Sequence, residues 1–146
     1  MGTLFGGGIY NSGTLTISTS TVSGNRIGGK YGETFGGGIY NSGTLTISSS
    51  TVSSSRCSRE CTDASGIYND GTLTISTSTF SDNGFVDYSG NLHLYGIYNT
   101  GTVKLSTSLI GDGCSGPITS LGYNLDQTSS CGLTGPGDKS NIDPRL

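Results

Sequence analysis

The stretch GGGIYNSGTLTIS at Gly6–Ser18 returns unaltered at Gly36–Ser48. It returns twice more with changes. GIYN begins at Gly8, Gly38, Gly66 and Gly96, and the glycine that follows it falls at Gly13, Gly43, Gly71 and Gly101. Both series are spaced by 30, 28 and 30 residues, so four copies keep one register while the segments between them differ. A period of this length marks an array of structural repeats.

Inside a copy the pattern has period two. Apolar and polar residues alternate through Thr14-Leu15-Thr16-Ile17-Ser18, as in a half-buried strand. The apolar columns across copies are Ile9/Ile39/Ile67/Ile97, Leu15/Leu45/Leu73/Val103, Ile17/Ile47/Ile75/Leu105 and Val22/Val52/Phe80/Ile110. Each copy therefore reads as three short strands joined by corners. A helix needs apolar steps of three and four, and glycine this dense opposes it. The fold expected is all-β: a right-handed parallel β-helix, or β-solenoid, of about four coils. The coils start near Gly2, Gly32, Glu60 and Gly90 within residues 1–110, and a C-terminal tail, residues 111–146, caps them. No coil can bury its own apolar face, which is why the sequence repeats: each coil is the template for its neighbour, about 4.8 Å away.

The corners carry their own columns. Gly13, Gly43, Gly71 and Gly101 lie where the chain is expected to turn within one or two residues, often with positive φ. Asn11, Asn41, Asn69 and Asn99 precede them and can hydrogen-bond along the axis as an amide ladder.

Composition narrows the function. Glycine supplies 26 of 146 residues and tryptophan is absent. The net charge of −3, with no basic patch, speaks against nucleic acid. No apolar run approaches the roughly 20 residues of a membrane span. The start MGTLFGGGIYN has no signal-peptide pattern. The even cysteine count in two local pairs, Cys57/Cys61 and Cys114/Cys131, suggests two disulfides and an oxidising compartment. Together these suggest that the chain is a fragment of a longer, exported protein. An uncapped first coil leads us to expect self-association at that end.

The repeat GGGIYNSGTLTIS resembles the parallel β-helix repeats of secreted bacterial surface proteins. The tail resembles proteins carrying the so-called choice-of-anchor Q domain, chiefly through GYNL at Gly122–Leu125, CGLTGPGD at Cys131–Asp138 and NIDPRL at Asn141–Leu146. The resemblance covers nearly the whole chain. It implies the fold, an extracellular or cell-surface setting and a structural or adhesive role, and it implies little chemistry. One departure stands out: such repeats often carry Asn where this chain has Thr19, Ser49, Thr77 and Thr107.

Most charged residues fall in the segments between copies and in the tail, with only Asp70 and Lys104 on the repeat strands. Catalysis of the glycosidase kind needs carboxylates facing each other across a cleft. The one place to gather them is the inter-copy segments, where Asp63, Asp82, Asp87 and His93 could meet. Solvated loop charges are the plainer reading, and His93 reads as a strand histidine. The G-x-G-x-x-G match at Gly111–Gly116 is followed by Pro117 and no helix pattern, so a phosphate loop is dismissed. The cysteine spacing does not fit zinc. The chain is therefore read as a non-enzyme without cofactor or metal.

Two ordered, uncharged arrays remain. Thr14, Thr16, Thr44, Thr46, Thr72, Thr74 and Thr102 form a Thr-x-Thr pattern on successive coils, interrupted at Lys104. It resembles the ice-binding faces of β-solenoid antifreeze proteins, although Thr is also a favoured exposed strand residue. Tyr10, Tyr40, Tyr68 and Tyr98 form a second column, read as cross-coil packing first and as a platform for sugar rings or another partner surface second.

Overall fold

A computed structural model describes residues 2–28, 33–58 and 66–145. Among them there is no helix; the chain winds as a β-solenoid. One wall stacks Ile9–Asn11, Ile39–Asn41, Ile67–Asn69 and Ile97–Asn99. The next stacks Thr14–Ser18, Thr44–Ser48, Thr72–Ser76 and Thr102–Ser106, and the third Thr21–Ser23, Thr51–Ser53, Thr79–Ser81 and Leu109–Ile110. Every rung of these walls is parallel, and the partners are the residues aligned by the repeat: Leu15↔Leu45, Leu45↔Leu73, Leu73↔Val103. Stepping Ile9→Ile39→Ile67→Ile97 makes about three full turns from the first copy to the fourth.

The inward columns form the core. Ile39, Leu45, Ile47, Val52, Ile67, Leu73, Ile75, Phe80, Ile97, Leu105 and Ile110 are fully buried, and Val103 nearly so. In the first coil Ile17 is buried, but Ile9, Leu15 and Val22 are only half-buried, because among the described residues a coil covers them on one side only. The burial of coils two to four and the partial exposure of coil one have one cause: an inward side chain is covered by coils on both sides or on one.

The structure adds strands that the three-strand reading lacked. A fourth wall pairs Arg26–Ile27, Arg56–Ser58 and Gly84–Val86 in parallel. Leu92–Leu94 closes it antiparallel, with Phe85 opposite His93. Leu4–Phe5 also pairs with Thr34–Phe35. Leu92–Leu94 is the strand to which the sequence assigns His93; the other segments are too short for periodicity to find them.

The tail continues the ladders before it leaves them. Cys114–Ser115, Thr119–Gly122 and Leu125–Asp126 add a rung to each of the three main walls, and Lys139–Ser140 adds one more to the third. Cys114 and Cys131 are disulfide-bonded with Cα atoms 4.7 Å apart. The expected Cys57–Cys61 pair involves Cys61, which lies outside the described residues, as does Asp63.

The corner glycines serve a different purpose from the one expected. Gly43, Gly71 and Gly101 do not have positive φ. They are glycine because a Cβ would sit 2.1–2.2 Å from the carbonyl oxygen of the glycine one coil above. The left-handed backbone falls instead on Thr19, Ser49, Thr77 and Thr107, with φ of 48–50°. This conformation is costly for a β-branched residue and tolerable for Asn or Gly.

Candidate functional site

Polar ladders fix the register of everything displayed on the walls. The Asn11 amide donates to Asn41 Oδ1 at 2.7 Å, Asn41 to Asn69 at 2.7 Å, Asn69 to Asn99 at 2.8 Å, and Asn99 ends the series on the Pro117 carbonyl at 2.7 Å. A second ladder runs from the Ser20, Ser50 and Ser78 backbone N–H groups to the hydroxyls of Ser50, Ser78 and Ser108 at 3.1–3.2 Å. A one-residue slip in register would strand these groups, which are buried except at Ser20.

On the middle wall the threonines face out. Thr14, Thr44, Thr72 and Thr102 are in register and exposed. Thr16, Thr46 and Thr74 form the second column; Thr16 is exposed, the other two half-buried, and Lys104 then Thr119 complete it. The spacing is set by the ladder at about 4.8 Å between coils and about 7 Å along the strand.

The tyrosines stack on one another. Ring centroids are 5.4 Å apart from Tyr10 to Tyr40, 5.4 Å from Tyr40 to Tyr68 and 5.2 Å from Tyr68 to Tyr98, all near-parallel. Phe5 lies 4.5 Å from the Tyr40 ring and Phe35 meets Tyr68 edge-on at 4.8 Å. Tyr40 is consequently 8% exposed, whereas Tyr10 at the open end is 55% exposed. Burial pushes the Tyr40 phenol above its ordinary range, helped by Asp70 and the flanking tyrosines. The two phenylalanines recur 30 residues apart, a signal the sequence carried outside the aligned motif.

The loop acids are tied to separate partners. Arg56 Nη2 meets Asp82 Oδ1 at 2.6 Å, and Arg56 Nη1 also donates to the Asp82 carbonyl. His93 Nε2 lies 2.9 Å from Asp87 Oδ2. The other Asp87 oxygen accepts the Ser89 and Asn91 backbone N–H groups, each at 2.9 Å. The His93 contact above all, then the bonds from Asn91 and Ser89, hold the Asp87 carboxyl well below the usual carboxylate range. The His93 ring stacks on Phe85 at 4.8 Å. Both carboxylates thus shape local structure. Beside them an open pocket of about 560 Å³ is lined by Arg26, Arg56, Cys57, Val86, Asp87, Tyr88 and Gly90.

Acidic groups in the tail are likewise structural. Asp126 is buried; it accepts the Cys131 N–H at 2.8 Å and the Thr128 N–H and hydroxyl at 2.9 Å, which shapes the disulfide loop. Asp138 accepts Ser120 Oγ at 2.5 Å, the Gly135 N–H at 2.6 Å and the Asn124 N–H at 2.8 Å. Partial burial raises its carboxyl, but those donors outweigh it and leave the group below its ordinary range. Among the described residues no cluster of His, Cys, Asp and Glu is arranged to hold a metal, and no helix is long and apolar enough to cross a membrane.

No family model, curated protein or solved structure matches the chain. The geometry itself identifies it as a β-solenoid repeat protein with a disulfide-closed tail.

Proposed function

We propose that this chain is a non-catalytic, extracellular β-solenoid of the bacterial choice-of-anchor Q type, with a structural or adhesive role at the cell surface. One observation carries the reading. Among the described residues, the loop carboxylates that a hydrolase or lyase could use are engaged in the fold: Asp82 with Arg56, and Asp87 with His93 and its own turn. What the solenoid displays instead is a set of regular hydroxyl and aromatic columns. The Cys114–Cys131 disulfide suits an oxidising compartment. The half-buried Ile9, Leu15 and Val22 supply an apolar end for self-association. Incubation of the purified protein with a polysaccharide panel tests this, reading retention on the polymer and release of reducing ends separately. Retention without release supports the proposal; steady release of products contradicts it.

A second reading rests on the in-register Thr columns. Ordered water held between methyls and hydroxyls on a flat face would favour ice. Thermal hysteresis in the wild type, lost when Thr44 and Thr72 are replaced by Lys, would support it; freezing behaviour identical to a control protein would remove it.

A further inference from the structure

We infer that the open pocket beside the fourth wall is a binding site for a carboxylate-bearing sugar, a uronate. The inference rests on the reading above that this surface binds without turnover.

Three features of the pocket define the ligand. First, Arg26 and Arg56 are direct ladder partners, which places two guanidinium stems about one rung, or 4.8 Å, apart. Asp82 orients and neutralises Arg56. Arg26 is exposed and, among the described residues, has no carboxylate partner. Its planar fork matches a carboxylate bidentately. Second, the rim is apolar and aromatic. Tyr88 is 75% exposed and Val86 42% exposed, giving a face on which the C–H side of a pyranose can lie. Third, Asp87 lines the same pocket as a carboxylate, but among the described residues it is bound by its own turn and His93 and by neither Arg26 nor Arg56, which leaves the Arg26 fork open to a ligand. The Asp87 oxygens already accept four contacts, from the Ser89 and Asn91 N–H groups, the Asn91 amide and the His93 ring. Those bonds fix the turn that carries Tyr88. The volume lies within the ordinary range of small-ligand sites, about 300–1,000 Å³.

A sugar acid uses both halves of this arrangement, the carboxylate on Arg26 and the ring on Tyr88. Inorganic anions would use only the first, and neutral sugars only the second. The repeat spacing carries the signal in the sequence, since Arg26 and Arg56 stand 30 residues apart like the motif itself.

The test titrates the intact, oxidised protein by NMR with a glucuronate-containing oligosaccharide, its methyl ester and inorganic phosphate. The acid form should saturate, the ester should bind at least about tenfold more weakly, and phosphate should not compete at equal concentration. Arg26→Gln and Tyr88→Ala should each weaken the acid form about tenfold with unchanged melting temperature, while Lys104→Gln on the Thr wall should have no effect. Equal binding of acid and ester, competition by phosphate, no saturation, or indifference to Arg26→Gln would each overturn the assignment. Released product in the same tubes would contradict the non-catalytic reading while leaving the pocket assignment to the binding data.

Discussion

Asn41 and Asn69 are 28 residues apart in the chain, yet the Asn41 amide donates to the Asn69 Oδ1 at 2.7 Å, both side chains fully buried. Asn69 in turn donates to Asn99, and to the Gly71 and Thr102 carbonyls at 3.1 Å. The ladder thus joins three coils through groups that have no access to water.

Replacing Asn69 with Ala should therefore cost more than one ordinary hydrogen bond. It leaves the Asn41 donor and the Asn99 acceptor without their axial partners, at about 1–3 kcal/mol for each buried group. Chemical denaturation should show a loss of at least about 2 kcal/mol. A change of a few tenths would mean that the ladder contributes little.

The glycine column allows a sharper comparison, because two positions in nearly the same sequence context, differing at Ser12 and Asp70, face different surroundings. A Cβ on Gly71 would lie 2.1 Å from the Gly43 carbonyl oxygen, a backbone atom that cannot swing away. A Cβ on Gly13 would meet nothing within 4 Å. Gly71→Ala should cost about 1–3 kcal/mol or more through overpacking, and Gly13→Ala close to nothing. Thermal melts of both variants check this. Equal losses would show that the first coil is covered in solution.

The same glycines show how far the sequence could be read. The repeat spacing and the alternation in Thr14–Ser18 were enough for the parallel ladders, their register and the inward columns. Alternation is visible because each strand has one wet face and one dry face. Apart from Leu92–Leu94, the fourth wall is not visible, since two- and three-residue strands such as Arg26–Ile27 are too short to show a period. The glycine column is plain in the sequence and suggests a turn, whereas for Gly43, Gly71 and Gly101 the requirement lies in the approach of one coil to the next. Only a neighbour in space reveals that. The pocket has the same character: Arg26 and Arg56 read as loop charges until ladder pairing makes them adjacent.

Thr77 holds φ at 50°, where a β-branched residue is strained, and its N–H bonds to the Ser106 carbonyl at 3.2 Å. Asn tolerates this region far better. Thr77→Asn should raise stability by up to about 1 kcal/mol, and Thr77→Val should not. Paired denaturation curves decide it; destabilisation by Asn would show that the Thr side chain serves a purpose of its own.

Asp112 gives the pH dependence a definite sign. It is buried at the foot of a third ladder, in which the Ser55 N–H donates to Asn83 Oδ1 at 3.1 Å and Asp112 accepts the Asn83 N–H at 3.0 Å and the Asn83 amide at 2.7 Å. Burial pushes its carboxyl above the ordinary range despite those donors. A folded value above the unfolded one means that its contribution is most favourable below about pH 3.9. That contribution is lost as pH rises through the folded value. Asn cannot ionise and would extend the Asn83 column. Asp112→Asn should therefore be more stable than the parent at pH 7, and the difference should shrink toward pH 3. A variant destabilised at pH 7 would show that the ionised carboxylate is the form the ladder requires.

The central claim is that identical positions of successive repeats stand directly above one another around a common core. A crystal structure of the chain tests it most directly. The account predicts Leu45, Leu73 and Val103 facing inward in one column with rungs about 4.8 Å apart, and Thr44, Thr72 and Thr102 outward in the adjacent one. Antiparallel pairing between the repeats, or those threonines turned into the core, would contradict it.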